Sequence, residues 1–371
     1  MKISTLPSPV LRPAVLRQPP QAPAPDDQFV PSGPRVEEAW KPLAQPPRFF
    51  NSGLLMGIFG PVAVVVSKLG EAVDGLGQKM GWWDSLGTIT KPLPPSKLND
   101  LPPAKIERPI VLVPGWQTPQ DRFDHLAEKL TGNGANGGRV YFVRNGEFFS
   151  DLECTKQLMV KDADARVFVA VFPRPNTPPH ETASDLAASL KAIQGLTGSA
   201  KIDVTGYSMG GLATRVYLDQ GGDAIGKFMM LGSPNQGASM ARSALGLLDL
   251  QAQGYDTDWL LSRKPITEAD RQALGWLRPV NTNPQLADLN TRWDQQKSRV
   301  ENVRVLGSRS RPTLGPAFLP TLGDGTVPAA SLTPPGESAV YLNDSSHRNH
   351  GLLFSNPDTY MEMRDFFGWG S

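Results

Sequence analysis

Past residue 108 the apolar positions of this chain fall into short bursts separated by stretches of helical period. Ile110 to Val113, Val140 to Arg144, Val167 to Phe172, Ile202 to Thr205, Phe228 to Leu231, Val303 to Leu306 and Val340 to Leu342 are apolar or β-branched runs of strand length. Such runs, continuous rather than alternating, suit strands buried on both faces. Between them, Phe123 to Leu130, Ala183 to Ile193 and Leu212 to Leu218 repeat at helical spacing, and Thr182 with Asp185 three residues on reads as a capping box. Strand alternating with helix predicts an α/β fold, a mostly parallel sheet covered on both sides. Residues 236–300 break the alternation. They hold helical pieces and exposed-looking apolar residues (Leu245, Leu247, Leu248, Trp259, Leu260, Leu261, Trp276, Leu277) but no strand, which predicts a helical insertion between sheet elements. No internal repeat is present.

The chain before residue 108 has a different character. Residues 1–50 carry twelve of the 36 prolines and few aromatics, so they predict a disordered arm that buries too little apolar surface to offset its chain entropy. From Pro61 to Met80, Val62, Val65, Val66, Leu69, Val73, Leu76 and Met80 recur on one side of a helical wheel. That amphipathic helix is expected to pack on the main domain, with contact to a lipid surface as the second reading. Six more prolines between Lys91 and Pro109 mark a linker, giving three units: an arm at 1–50, helix and linker at 51–107, and a domain at 108–371. The apolar stretch from Leu54 to Val66 is broken by Gly57, Gly60 and Pro61 and is shorter than the ~20 residues of a membrane span. Pro7, Pro9 and Pro13 interrupt the place where a secretory apolar region would lie, so a soluble protein without a cleaved signal peptide is expected.

Composition narrows the chemistry. With 37 basic and 36 acidic residues the net charge is +1, which offers no electrostatic footprint for nucleic acid. Cys154 is the single cysteine, so a disulfide within the chain and a cysteine-based metal site are both excluded, and the residue is expected to act as a small buried hydrophobe. No cofactor is called for, and the histidines show no paired metal-ligand spacing beyond His347 and His350.

Ile202-Asp203-Val204-Thr205-Gly206-Tyr207-Ser208-Met209-Gly210-Gly211 is a strand that runs through G-x-S-x-G into a helical pattern. This is the context of a nucleophile elbow, in which a tight strand-to-helix turn carries an exposed serine and leaves no room for bulk two residues before and after it. A serine hydroxyl becomes a nucleophile when an imidazole takes its proton and a carboxylate orients that imidazole. In this arrangement acid and base follow the serine in chain order. Of the four histidines, His125 and His180 precede Ser208, leaving His347 and His350 as candidate bases. Asp324, between two glycines after the strand at Val303 to Leu306, is the expected acid, with Asp344 the weaker alternative. The His350 position lies nearer the helix that begins at Pro357, which favours it over His347. Two amides are expected to receive a developing oxyanion: that of Met209 at the helix start, and that of Trp116 in Val113-Pro114-Gly115-Trp116-Gln117, with Gln117 as second choice.

Val113-Pro114-Gly115-Trp116, Gly206 to Gly211, Gly232-Ser233-Pro234-Asn235-Gln236-Gly237 and Gly323-Asp324-Gly325-Thr326-Val327-Pro328 together resemble bacterial lipases and related esterases of the α/β-hydrolase superfamily, over residues 108–368. The family often has His-Gly where this chain has Pro114-Gly115. In the resembled enzymes the base commonly precedes an apolar pair and an Asn-Pro, as His350 precedes Leu352-Leu353 and Asn356-Pro357. The resemblance implies an α/β-hydrolase fold, ester or lipid substrates, an acyl-enzyme, and a lid formed by residues 236–300. Gln117, Tyr207, Trp259, Leu260 and Leu261 are then the expected substrate contacts, and the lid or the helix at 61–80 the expected contacts with a lipid interface. The alternatives are an acyltransferase or thioesterase with the same residues, and a hydrolase fold serving only as a binding module.

Overall fold

The computed structural model describes residues 97–118, 120–253, 266–315, 319–343 and 349–370. The arm at 1–50, the helix expected at 61–80, and the individual residues Trp259, Leu260, Leu261, Asp344 and His347 lie outside these. In chain order the strands are β1 (Ile110–Val113), β2 (Val140–Arg144), β3 (Glu147–Phe149), β4 (Val167–Ala170), β5 (Ile202–Tyr207), β6 (Ile225–Leu231), β7 (Asn302–Gly307), β8 (Arg311–Leu314), β9 (Pro320–Gly323) and β10 (Ala339–Tyr341). Eight of them form one sheet in the order β10-β7-β6-β5-β1-β4-β2-β3, parallel throughout except where β3 folds back on β2. The helices are α1 (Asp124–Thr131), α2 (Pro179–Thr197), α3 (Met209–Asp219), α4 (Ser239–Ala252), α5 (Arg271–Leu277), α6 (Pro284–Thr291), α7 (Trp293–Lys297) and α8 (Pro357–Phe367). This mostly parallel sheet with helices on both faces is the α/β-hydrolase fold.

The continuous apolar runs have the double role that their pattern demands. Along β1, Val111 and Val113 face a core with Leu186 and Leu190 of α2 and Leu212 and Val216 of α3. Ile110 and Leu112 face the opposite core, with Leu126 of α1 and Tyr360, Met363 and Phe366 of α8. A strand wedged between two such layers removes every side chain from water, at roughly 1.5–3 kcal/mol for each large aliphatic residue buried.

Several elements depart from expectation for local reasons. Helix α2 begins at Pro179 rather than after Thr182, because a proline at the first helical position has its φ preset and lacks an N–H that would in any case go unpaired. No capping box forms there: the Thr182 hydroxyl donates back to the Pro178 carbonyl at 3.0 Å. Strand β3 and the β8–β9 hairpin carry no apolar run of strand length in the sequence. Leu248 of α4 and Trp276 and Leu277 of α5 are buried in the core cluster rather than presented to solvent. The last part of the expected linker is also packed: Leu98, Ala104 and Ile106 are buried, Lys105 bridges Gly370, and the Tyr360 hydroxyl donates to the Pro102 carbonyl at 2.6 Å. Cys154 is buried, with its thiol pushed up by loss of solvent. Among the described residues no helix is long and apolar enough to cross a membrane.

The described parts of the insertion, α4 to α7, contain no strand and are fastened to the sheet by one buried cation. Arg215 of α3 is fully buried, and burial drives its pKa down. Its guanidinium donates to Gln296 Oε1 at 3.0 Å, Asn235 Oδ1 at 2.9 Å, Asn290 Oδ1 at 2.8 Å and the Leu289 carbonyl at 3.2 Å. Trp293 closes one face of it, 5.0 Å from the ring centroid. The rigid fork of arginine supplies five donors, which is why one side chain can collect the post-β6 loop, α6 and α7 at once.

Candidate active site

Strand β5 ends at Tyr207 and α3 begins at Met209, so the whole change of direction falls on Ser208, at φ 52° and ψ −126°. A non-glycine residue in that region stores on the order of 1–3 kcal/mol, sustained here by the sheet on one side and the helix on the other. The glycines explain how the turn closes. A Cβ on Gly206 would stand 2.6 Å from Gly211 Cα, and one on Gly210 would run into the carbonyls of Val113 and Pro114. These are backbone atoms that have nowhere to go.

Three segments meet at the serine. His350 Nε2 lies 2.8 Å from Ser208 Oγ, and His350 Nδ1 lies 2.7 Å from Asp324 Oδ2. The other carboxylate oxygen of Asp324 accepts from the amides of Thr326 at 2.9 Å and Val327 at 2.7 Å. The Gly-Asp-Gly turn thus fixes the acid through its own backbone, and the Gly325 amide donates to Thr313 of the β8–β9 hairpin at 2.9 Å. The His350 amide donates to the Asp324 carbonyl at 2.9 Å. Asp324 is 1 % exposed and His350 9 %. A carboxylate so placed selects the imidazole tautomer that carries its proton on Nδ1 and leaves Nε2 to accept from the serine.

Tyr207, read from sequence as a substrate contact, is instead buried behind the base. Its hydroxyl donates to the His350 carbonyl at 2.8 Å and its ring stacks on the imidazole at 5.1 Å between centroids. His125 lies 3.1 Å from Ser355 Oγ through Nδ1, and His180 stacks on Trp276. Met209 heads α3, where its amide has no intrahelical acceptor and the helix dipole favours negative charge.

The loop after β1 passes directly beside the serine, since a Cβ on Gly115 would stand 2.6 Å from Ser208 Cβ. Gln117 has φ 45°, and its amide donates to the Pro175 carbonyl at 2.6 Å, which turns that N–H away from Ser208 and leaves Trp116 as the candidate donor on this loop. Both side chains reach away from the serine to one carboxylate, Asp270: Trp116 Nε1 donates at 2.8 Å and Gln117 Nε2 at 2.6 Å. Sequence reasoning passed over Asp270. Its partners are 154 and 153 positions away, and its only local signal is the capping box it forms with Thr267.

Gly115→Ala is expected to displace Ser208 by about 1 Å and to lower the reactivity of its hydroxyl about a hundredfold, while the melting temperature falls by only a few degrees. Comparing the rate of fluorophosphonate labelling with the thermal midpoint of the same preparation checks it.

No protein-family model matches the chain, and no curated protein matches it in sequence. Solved structures similar to it include lipase BlEst2 of Bacillus licheniformis in its mature form, at 14% identity over 74% of this chain and 96% of that one with a TM-score of 0.44. Phospholipase PlaB of Legionella pneumophila is similar at 15% identity over 70% of this chain and 61% of that one, with a TM-score of 0.48. A metagenomic carboxyl esterase, MGS0156, is similar at 13% identity over 75% of this chain and 79% of that one, with a TM-score of 0.40.

Proposed function

We propose that this chain is a serine hydrolase of carboxylic esters that works through an acyl-enzyme on Ser208. The observation that carries the reading is the hydrogen-bonded series Asp324, His350, Ser208 with the serine at the head of α3. In the first half of the reaction Ser208 Oγ attacks the ester carbonyl as His350 Nε2 takes its proton, and the carbonyl electrons move onto oxygen. The amides of Met209 and Trp116 receive that oxyanion, each donor worth about 3–4 kcal/mol in the transition state. Collapse of the intermediate expels the alcohol, which takes the proton from His350, and leaves the acyl group on Ser208. Water then repeats the sequence, giving the acid and free serine. Asp324 holds the imidazole and balances its charge throughout.

The substrate class follows from the insertion. Trp259, Leu260 and Leu261, with no charge among them, are proposed to line the acyl side of the site as part of a cap, the same face that would meet a lipid interface. The test is hydrolysis of p-nitrophenyl esters from acetate to palmitate by the purified chain, with mass mapping of a fluorophosphonate adduct. Turnover and an adduct on Ser208 support the reading, and an adduct elsewhere, or none, overturns it. Leu260→Ser with Leu261→Ser is expected to lower turnover of long-chain esters at least about tenfold more than that of acetate, because each buried aliphatic contact is worth roughly 1.5–3 kcal/mol. Equal losses on both would remove the cap from acyl selection.

A further inference from the structure

Asp270 is 1 % exposed and sits at the head of the cap helix α5, yet its carboxylate is shared between two jobs. Oδ2 accepts from the Thr267 amide at 2.9 Å and the Thr267 hydroxyl at 3.1 Å, which closes a capping box within the insertion. Oδ1 accepts from Trp116 Nε1 at 2.8 Å and Gln117 Nε2 at 2.6 Å, across to the loop that runs past Ser208. A helix cap needs only the first pair. The second pair joins the insertion to the two residues that follow Gly115, one of which holds a left-handed backbone conformation at φ 45°. A bulky non-glycine residue in that region needs outside restraint, and Gln117 is held from both ends, by Pro175 through its amide and by Asp270 through its side chain.

We infer that Asp270 is a positioning residue for the oxyanion hole: the cap, through this one carboxylate, sets where the Trp116 amide stands relative to Ser208. The inference rests on the ester-hydrolase reading above. Its consequence is that the insertion contributes to the chemical step as well as to substrate selection. When the cap and the β1 loop are joined the donor is in place, and when they part it is not.

The experiment compares Asp270→Ala, Asp270→Asn and the loop double variant Trp116→Phe with Gln117→Leu, which leaves the Thr267 cap untouched. Three readouts are taken from each: kcat and KM on a p-nitrophenyl ester, the affinity of an alkyl boronic acid that adds to the serine as a tetrahedral anion, and hydrogen exchange of the amides at 115–118. Asp270→Ala is expected to lose about 10- to 100-fold in kcat with KM within about twofold, to weaken the boronate by a similar factor, and to speed exchange at 115–118. Asp270→Asn, whose amide oxygen can still accept from both donors, should recover most of kcat. The double variant should lose as much as Asp270→Ala, and combining all three changes should add little, since they break one interaction. A purely structural role for Asp270 predicts a lower melting temperature with kcat per folded molecule unchanged, and that result overturns the inference. So does unchanged exchange in Asp270→Ala, or a rise in KM alone. If the wild type neither turns over esters nor takes the fluorophosphonate, the hydrolase reading fails and the positioning role fails with it. The exchange data then still report whether the carboxylate restrains the loop.

Discussion

Ser208→Ala is expected to reduce ester turnover roughly a thousandfold or more while leaving the fold intact. The hydroxyl's hydrogen bond is to His350 Nε2, and the amide of the same residue, which donates to the Leu231 carbonyl at 2.9 Å, is unaffected by the change. Alanine at φ 52° carries the same backbone strain as serine, so melting should shift by no more than a degree or two. What is lost is the atom proposed to form the covalent bond. The two amides and the imidazole remain and sustain only the residual rate of a polarised carbonyl attacked by water. Fluorophosphonate labelling should vanish with the hydroxyl. Labelling that persists in the variant, or turnover within about tenfold of wild type, would place the nucleophile elsewhere.

Arg215→Met is expected to destabilise the protein by about 3–5 kcal/mol, the largest stability effect foreseen for a single residue here. Methionine retains much of the apolar stem and the contact with Trp293, so the loss isolates the polar half of the interaction. Four oxygens, from Gln296, Asn235, Asn290 and the Leu289 carbonyl, lose their shared donor inside a closed space. The Leu289 carbonyl keeps a second donor, Gln296 Nε2 at 2.7 Å, which sets the upper end of the range. The measurement is the urea midpoint at unchanged slope. Arg215→Lys should recover little, since a single ammonium cannot reach acceptors on three segments. A loss below about 1 kcal/mol for Arg215→Met would mean that the guanidinium is not what fastens the insertion.

How much of this was legible in the sequence depended on the range of the interaction involved. Strands β1, β4, β5 and β6 announce themselves because a residue buried on both sides must be apolar, whatever the topology, whereas β2, β7 and β10 are only partly buried and show as short β-branched and aromatic runs. The β8–β9 hairpin does not, since Arg311, Pro312 and Pro320 disguise it and Leu322 faces solvent. The elbow is legible because its steric demands fall within a few residues. By contrast, Thr182 and Asp185 mimic a side-chain cap four residues inside α2, whose true start is set by Pro179. Leu248, Trp276 and Leu277 look exposed in the sequence because their covering residues come from other parts of the chain. Tyr207 is invisible as a support for His350, and Asp270 as a partner of Trp116, for the same reason: 143 and 154 residues separate them. Pattern reports which residues must be hidden, and only the folded chain reports what hides them.

The order of strands in the sheet also bears on how quickly the molecule becomes competent. β1 comes first in the chain and lies in the middle, between β5 and β4, whereas β7 and β10 extend one edge and come late. Ser208 and His350 are 142 positions apart, and the histidine arrives on the segment after β10. Folding slows as contacts become more distant in sequence, and a parallel sheet closes its long loops before those contacts repay the entropy. Helical circular dichroism should therefore return early when denaturant is diluted, with the central strands condensing around β1 and β5. Catalytic competence should return in a later and slower phase, once the far edge has been laid down and residue 350 has been carried to the head of α3. On the ribosome the same order would leave the proposed site incomplete until residue 350 has emerged.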